Sequence, residues 1–468
     1  MALSKFLKSR KNKMLALVEA LKDDFDYVSI LGCDIVEKSI SSNKKSQNIG
    51  EGRDVSAGFV VKLNNHGAIL EYSLNDLKGD MHKLAKQIKE ELNIPNDLAK
   101  LAINVSNLDN EKMIKSFLRR SDFHNYSDKE LLDFTSKMVE KVSQMDDHIL
   151  NTGTSIYTQN ISKIFVSKDK VLDQNYTWVN GMTFVVYKGD NGKVVMARDG
   201  VYSNKIKDIL NALPNVHAKL LDKARHLVLA KPIEPGYYDV ITDPSITGLI
   251  AHEAFGHGVE MDQFVKDRAL AKKYMNDYVA SPIVNMHDGA AAAFSAASYF
   301  FDDDGILAKD TKIIENGILI GGLCDMASAS QLGYHPTGNG RRESFKRKTY
   351  TRMTNTFFEA GDSKLKDMIK SIKHGYMLFE TNNGMEDPKN WAIQCVCEYG
   401  IEIIDGKLTD NYVSPVVMSG YVPDLLKSIS MVSDSFKVIG SGMCGKGYKE
   451  WVRVSDGGPH LKAKVKLS

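Results

Sequence analysis

The stretch Asp243-Pro244-Ser245-Ile246-Thr247-Gly248-Leu249-Ile250-Ala251-His252-Glu253-Ala254-Phe255-Gly256-His257 organises the chain. It opens as a helix: an acid at the N-cap, then Pro at the first helical position. The residues from Ile246 to Ala251 are apolar or small, so this helix is expected to be largely buried. It then presents two imidazoles and a carboxylate within six residues. Buried His and Glu side chains need partners, and a divalent metal would supply one, because neutral imidazoles are metal ligands. Glu253, beside the first His, has the chemistry of a general base toward water. The pattern points to metal-assisted hydrolysis.

The spacing is H-E-x-x-x-H, one residue longer than the common H-E-x-x-H. Five residues at about 100° each set the two rings roughly 140° apart on a regular helix. The spacing therefore predicts one of two distortions. Either a π-bulge absorbs the extra residue, or the second His sits just past the helix end. Gly256 and Gly258, on either side of His257, permit both.

Working outward, the strand pattern at 237–241 feeds the motif helix. The loop signal Lys231-Pro232-Ile233-Glu234-Pro235-Gly236 marks a boundary. Before it, helical periodicity covers 6–21, 81–92, 110–118, 128–150 and 215–227. Strand patterns cover 26–31, 57–63, 68–72, 154–166, 175–179, 183–187 and 193–197, with 41–54 a polar connection. After the boundary, 265–278 reads as helix. Strand and turn follow from 284, with hairpins at 313–320 and 401–408 and a short helix at 425–432. The expected fold is α+β in two domains. Residues 1–230 form a sheet-plus-helices domain, and residues 231–468 form a mostly antiparallel β domain carrying the metal-site helix.

Composition is that of a globular protein, 43% hydrophobic and 26% charged over 468 residues. A formal net charge of +2 leaves no nucleic-acid footprint. No apolar run reaches the roughly 20 residues of a membrane span. The basic N-terminal stretch lacks the apolar centre of a signal peptide. Five cysteines do not make a disulfide framework in a chain of this size. The expectation is a cytoplasmic protein with reduced thiols, binding neither membrane nor nucleic acid.

A catalytic zinc ordinarily has three protein ligands and one open position. The best third candidate is Cys444, in Gly440-Ser441-Gly442-Met443-Cys444-Gly445-Lys446-Gly447, read as a loop shaped around an ion. Glu260 and Asp262 follow His257 closely enough to support it or to compete as ligands. His460 as a fourth ligand would close the site. Cys395 and Cys397 read as core thiols, and His287-Asp288 as a loop pair.

Several stretches together resemble the TldD/PmbA family, on its TldD side. They are His252 to His257 with Gly258; Ile314-Glu315-Asn316-Gly317; Pro336-Thr337-Gly338-Asn339-Gly340-Arg341-Arg342-Glu343-Ser344; Arg352-Met353-Thr354-Asn355-Thr356; and Cys444-Gly445-Lys446-Gly447 with Gly457-Gly458-Pro459. They span most of 237–468. One departure is Gly447-Tyr448-Lys449-Glu450-Trp451, where many members carry a Gln. The resemblance implies a zinc metalloprotease with His252, His257 and Cys444 as Zn²⁺ ligands and Glu253 as catalytic base. It implies peptides or unfolded segments as substrates. It also implies a dimer, either with itself or with a TldE/PmbA-type subunit that lacks the metal motif. Arg341 and Arg342 are candidates for holding a substrate carboxylate. The segment 352–356, with Asn355, is a candidate edge strand for pairing with an extended peptide. The rival reading is a catalytically silent peptide-binding or regulatory subunit of the same fold, which would have no need of His252, Glu253, His257 and Cys444 together.

Overall fold

The structure, a computed structural model, describes residues 3–51, 56–92, 105, 111–448 and 450–468. Gly52 to Asp54 of the polar connection, Asn110 and Lys449 lie outside the described residues.

Eight strands form the N-terminal sheet, in the order Ala68–Leu74, Ser56–Asn65, Tyr27–Asn43, Ile149–Ser167, Lys170–Lys188, Met113–Leu118. Gln47–Glu51 pairs with Tyr27–Asn43, and Val194–Ser203 with Lys170–Lys188. Alternation sorts the sheet's two faces. Ile30, Ile164 and Phe59 pack under the helices Lys5–Leu21 and Met81–Glu91. Ile40, Ile156 and Val179 pack against residues of Asp128–Ser143 and Ile206–Ala212. The opposite face, with Leu31, Cys33, Phe165 and Leu172, receives Phe301 from the C-terminal half.

The sequence divides this sheet too finely. The expected strands at 175–179 and 183–187 are one nineteen-residue strand, Lys170–Lys188, because both of its faces are covered along most of its length. The polar connection at 41–51 is the end of Tyr27–Asn43 turning into Gln47–Glu51 in antiparallel register. The expected helix at 110–118 is the strand Met113–Leu118, parallel to Lys170–Lys188. Its Met113 and Phe117 pack toward Phe301 while Ile114 and Leu118 face out, which is a period of two and not of 3.6. The expected helix at 265–278 shrinks to Asp262–Val265 and a 3-10 turn, Leu270–Tyr274.

The C-terminal half holds two larger sheets. One closes on itself. Gly236–Thr242 pairs with Leu461–Leu467, then come Val416–Tyr421 and Ala392–Ile404, and the last of these pairs with His374–Asp387, which returns to Gly236–Thr242. The other runs Ile318–Leu319, Thr311–Glu315, Met286–Asp288, Asn355–Phe358, Glu450–Gly458, Lys437–Lys446. Pairing is antiparallel except for Gly236–Thr242 with His374–Asp387 and Asn355–Phe358 with Glu450–Gly458. The molecule is thus α+β, with a sheet-plus-helices N-terminal part and a mostly antiparallel C-terminal part. The motif helix, begun at Pro244–Leu249 and capped by Asp243 accepting from the Ile246 amide, packs between the two C-terminal sheets. The approach is close enough that a Cβ on Gly248 would sit 2.3 Å from the Gly457 nitrogen. Small residues in this helix are therefore required by packing.

Charged pairs tie the halves together. Lys62 bonds to Asp304, Lys163 to Asp303, and Arg342 makes a two-pronged contact with Glu71 at 2.8 and 3.2 Å.

Candidate metal centre

The motif helix contains both expected distortions. A π-helical turn spans Ile250–Gly256, and the His257 amide bonds to the His252 carbonyl, five residues back. His257 then opens a 3-10 turn, His257–Val259. The extra residue is absorbed, and the two rings meet edge to face with centroids 5.1 Å apart.

The chain brings Cys444 to this pair. Its sulfur lies 3.6 Å from His257 Nε2, and one donor atom from each of His252, His257 and Cys444 falls within 4.8 Å of the others. Tetrahedral bonds of ordinary Zn–N and Zn–S length would separate two such ligand atoms by ~3.6 Å. Cys444 is not on a loop, as the glycines suggested, but on the strand Lys437–Lys446, opposite Val452. Its backbone carbonyl accepts a 2.5 Å hydrogen bond from the buried Arg352 guanidinium.

Electrostatics agree with a cation-binding role. Burial opposes ionisation of the Cys444 thiol, but the two imidazoles outweigh it and hold the thiol well below its ordinary value. Burial likewise disfavours a charged His257, and the Cys444 sulfur and Glu260 outweigh that too. A thiol held low in this way calls for positive charge beside it. A divalent ion would supply that charge, with the imidazoles neutral as ligands. His252 Nδ1 is buried with no hydrogen-bond partner. Two imidazoles, one of them with an orphaned buried nitrogen, and one cysteine sulfur fit zinc, whose ligands are N and S donors.

Behind the three donors stands a further row of charged side chains. Glu260 Oε2 accepts from His257 Nδ1 at 3.1 Å, which turns Nε2 toward Cys444. Lys446 donates to Glu260 at 3.0 Å, to Asp262 at 2.7 Å and to the Thr351 carbonyl at 2.9 Å. Burial works against the Glu260 carboxylate, yet Lys446 and His257 keep it ionised well below its ordinary range. Glu260→Gln is expected to weaken zinc binding by about ten- to a hundredfold, measured by competition with a chromophoric chelator.

Glu253 lies on the same face, its Oε2 4.0 Å from His257 Nε2. Its Cγ sits against Gly384 of the strand His374–Asp387, where a Cβ would come within 2.6 Å. Glu253, His257 and Cys444 all line one cleft of about 900 Å³. Sequence reasoning missed Gly384 and Glu386 on the opposite wall. Burial raises the Glu386 carboxyl well above its ordinary value, and both its oxygens lack a hydrogen-bond partner. Neither carries a motif; only the pairing of a distant strand brings them here.

Other expected site residues lie elsewhere. Arg342 is committed to Glu71 and to the Arg347 carbonyl. Arg341 donates to the carbonyls of Met353 and Arg453, both at 2.6 Å. Asn355 is fully buried and donates to Gly289, Ala293 and Ser298. Asn355–Phe358 is an interior strand between Met286–Asp288 and Glu450–Gly458, so it offers no edge to a peptide. Arg342 and Asn355 thus hold the fold together, contrary to the substrate-binding expectation. Asp288 is the hub of this region, accepting from Asn339, Thr354 and Thr356. His460 bonds to Ser435, and His287 lies between Asp310 and Glu359; neither joins the cluster. Cys395 and Cys397 are buried free thiols.

Residues 235–466 match the profile of the PmbA/TldA metallopeptidase C-terminal domain. The chain is 32% identical over 241 residues to a metalloprotease of Methanothermobacter thermautotrophicus, an alignment spanning 52% of each chain, about half of that relative's length. It is 27% identical over 346 residues to the zinc metalloprotease TldD homolog of Saccharolobus solfataricus, covering 73% of this chain and 76% of that one. In fold it is similar to TldE from Thermococcus kodakarensis, with a TM-score of 0.75 at 17% identity over 97% of this chain and 99% of the other. With the H-E-x-x-x-H helix and the Cys444 strand both inside the matched region, the chain belongs to the TldD/PmbA family.

Proposed function

We propose that this chain is a zinc-dependent peptidase acting on peptides or unfolded polypeptide segments, with His252, His257 and Cys444 as ligands and Glu253 as general base. The observation that carries the reading is the meeting of three N and S donors within 4.8 Å, beside a carboxylate, at the wall of an open cleft. When bound, zinc supplies a Lewis acid and brings the pKa of water down to about 7.

The chain's residues do the rest. Glu253 takes a proton from the attacking water onto its carboxylate and returns it to the leaving amine nitrogen. Gly384, by lacking a side chain, leaves room for that carboxylate. Glu260 holds the proton on His257 Nδ1, so Nε2 keeps its lone pair for the ion. Lys437–Lys446 pairs only with Glu450–Gly458 among the described residues, so the Cys444 strand stands last in its sheet. An extended peptide laid along it would gain main-chain hydrogen bonds without sequence demands.

The proposal extends to a division near 230, with a 1–230 N-terminal domain and a 231–468 metalloprotease domain, to a cytoplasmic setting, and to a dimer with itself or with a TldE/PmbA-type subunit. Among the described residues no helix is long and apolar enough to cross a membrane. The test is metal analysis with and without a chelator. One zinc per chain is expected. Its removal should abolish hydrolysis of an unstructured peptide, and added zinc should restore it. A purified protein that holds no zinc and cleaves regardless of chelator would overturn the reading.

A further inference from the structure

The cleft has a cationic end. Arg268 and Lys389 both line it, alongside Glu253 and His257. The two come from separate segments that are clipped together: the Leu270 amide donates to the Pro388 carbonyl at 2.9 Å. Each cation stands on a braced turn. Asp267, directly before Arg268, is held at φ 50°, in the left-handed region that costs a non-glycine residue energy. Lys272 locks it there by donating to the Asp267 carboxylate at 2.5 Å and to the Phe264 carbonyl at 3.0 Å, while the Arg268 amide bonds to the Gln263 carbonyl at 2.9 Å. Opposite, Asp387 accepts from the Lys389 amide at 3.1 Å and from the Asn390 side chain at 2.6 Å, which fixes the turn that carries Lys389.

Of the neighbouring acids, Glu386 pairs with neither cation and burial disfavours its charged form, and three others are engaged elsewhere. Asp267 is taken by Lys272, Glu260 by Lys446 and His257, and Asp387 by its turn. Among the described residues neither Arg268 nor Lys389 forms an ion pair, although Asp387 lies two positions from Lys389 and lends it some compensation. Two exposed cations, set by strained or capped turns and lining the same cleft as the donor cluster, ask for an anion. In a peptide the anion is a carboxylate.

We infer that Arg268 and Lys389 receive a carboxylate of the peptide substrate, so that the cleft favours peptides bearing one on the side of the scissile bond that reaches these two residues. The inference rests on the peptidase reading and adds a substrate class to it. The carboxylate has two sources, an Asp or Glu side chain or the peptide's own C-terminus. The two sources differ in consequence: the first gives an endopeptidase that prefers acidic segments, the second an enzyme that trims from the carboxyl end.

Three matched fluorogenic peptides separate these cases. One carries acidic side chains and an amidated end, one is neutral with a free C-terminal carboxylate, and one is neutral and amidated. For the zinc-loaded wild type, kcat/KM is expected to favour one of the first two over the third by about tenfold at low salt, the sum of two partly exposed charge contacts. Which of the two is favoured names the source. R268A/K389A should erase the preference and R268E/K389E should invert it toward a lysine-bearing peptide, while hydrolysis of the neutral peptide changes less than about twofold. Binding of the same labelled peptides to chelator-treated protein, followed by anisotropy, gives a readout that needs no turnover and should show the same ranking. Hydrolysis without preference, or a preference that survives charge reversal, overturns the inference and leaves the peptidase. No hydrolysis but reversal-sensitive binding overturns the peptidase and leaves the carboxylate site. Neither hydrolysis nor a binding difference overturns both.

Discussion

Glu253→Gln is expected to keep one zinc per chain and to lower kcat/KM at least about a thousandfold, within the range that a positioned acid–base group contributes. The amide matches the carboxylate in shape, so packing against Gly384 is retained. What it loses is the ability to accept a proton from water and deliver it to the departing nitrogen. Zinc content and thermal midpoint serve as controls: both should match wild type, since Glu253 is not among the three grouped donors. Turnover at the wild-type rate would remove Glu253 from the mechanism and leave the donor cluster standing. A fall in zinc content would make Glu253 a ligand instead of a base.

Arg342→Ala should be among the most destabilising single substitutions in the molecule, at about 3–5 kcal/mol, because removing one partner strands a buried opposite charge. The Arg342 side chain is 2% exposed and grips Glu71 from the N-terminal sheet. Burial pushes the Glu71 carboxyl up, and Lys62 and Arg342 together outweigh it, holding Glu71 down from 4.5 to about 2. A depressed carboxylate contributes stability that is present above its unfolded pKa and lost as pH falls through the folded one. The gap between wild type and R342A should therefore be full at pH 7 and shrink as pH drops from about 4.5 toward 2. Chemical denaturation at a series of pH values reads both numbers. A gap that is constant with pH would assign the loss to packing and not to the ion pair.

The most informative signal in the sequence was geometric. H-E-x-x-x-H cannot work on a regular helix, and the π-turn and the 3-10 turn at His257 are the physical answer to that mismatch. What the spacing leaves open is which distortion is used, because that depends on what packs outside the helix. Cys444 was legible as a residue but not as a strand. Its glycine neighbours reflect crowding: a Cβ on Gly440 would meet Ser295 and Ala296, and one on Gly445 would meet Trp451. Glycine at a close approach and glycine in a loop look alike in one dimension.

Arg341, Arg342 and Asn355 do not line the cleft of the donor cluster, for a related reason. Most of their partners lie far along the chain, up to Glu71 at a separation of 271 residues, and no local pattern records such a pairing. The cleft's far wall, with Gly384 and Glu386, was hidden because strand order is a property of the whole sheet. The alternation at 175–179 and 183–187 was visible, but not the continuity between them; the structure runs through Asn180 and Gly181 in register with Tyr157 and Ile156 on one side and Tyr202 and Val201 on the other.

The 187-residue interval between His257 and Cys444 has a consequence for timing. During synthesis the histidines leave the ribosome long before the sulfur exists. Leu461–Leu467, which completes the closed sheet, comes later still. A chain that stops before Cys444 therefore carries only two of the three grouped donors, and the cluster cannot assemble until that strand has been made and folded back onto the motif helix.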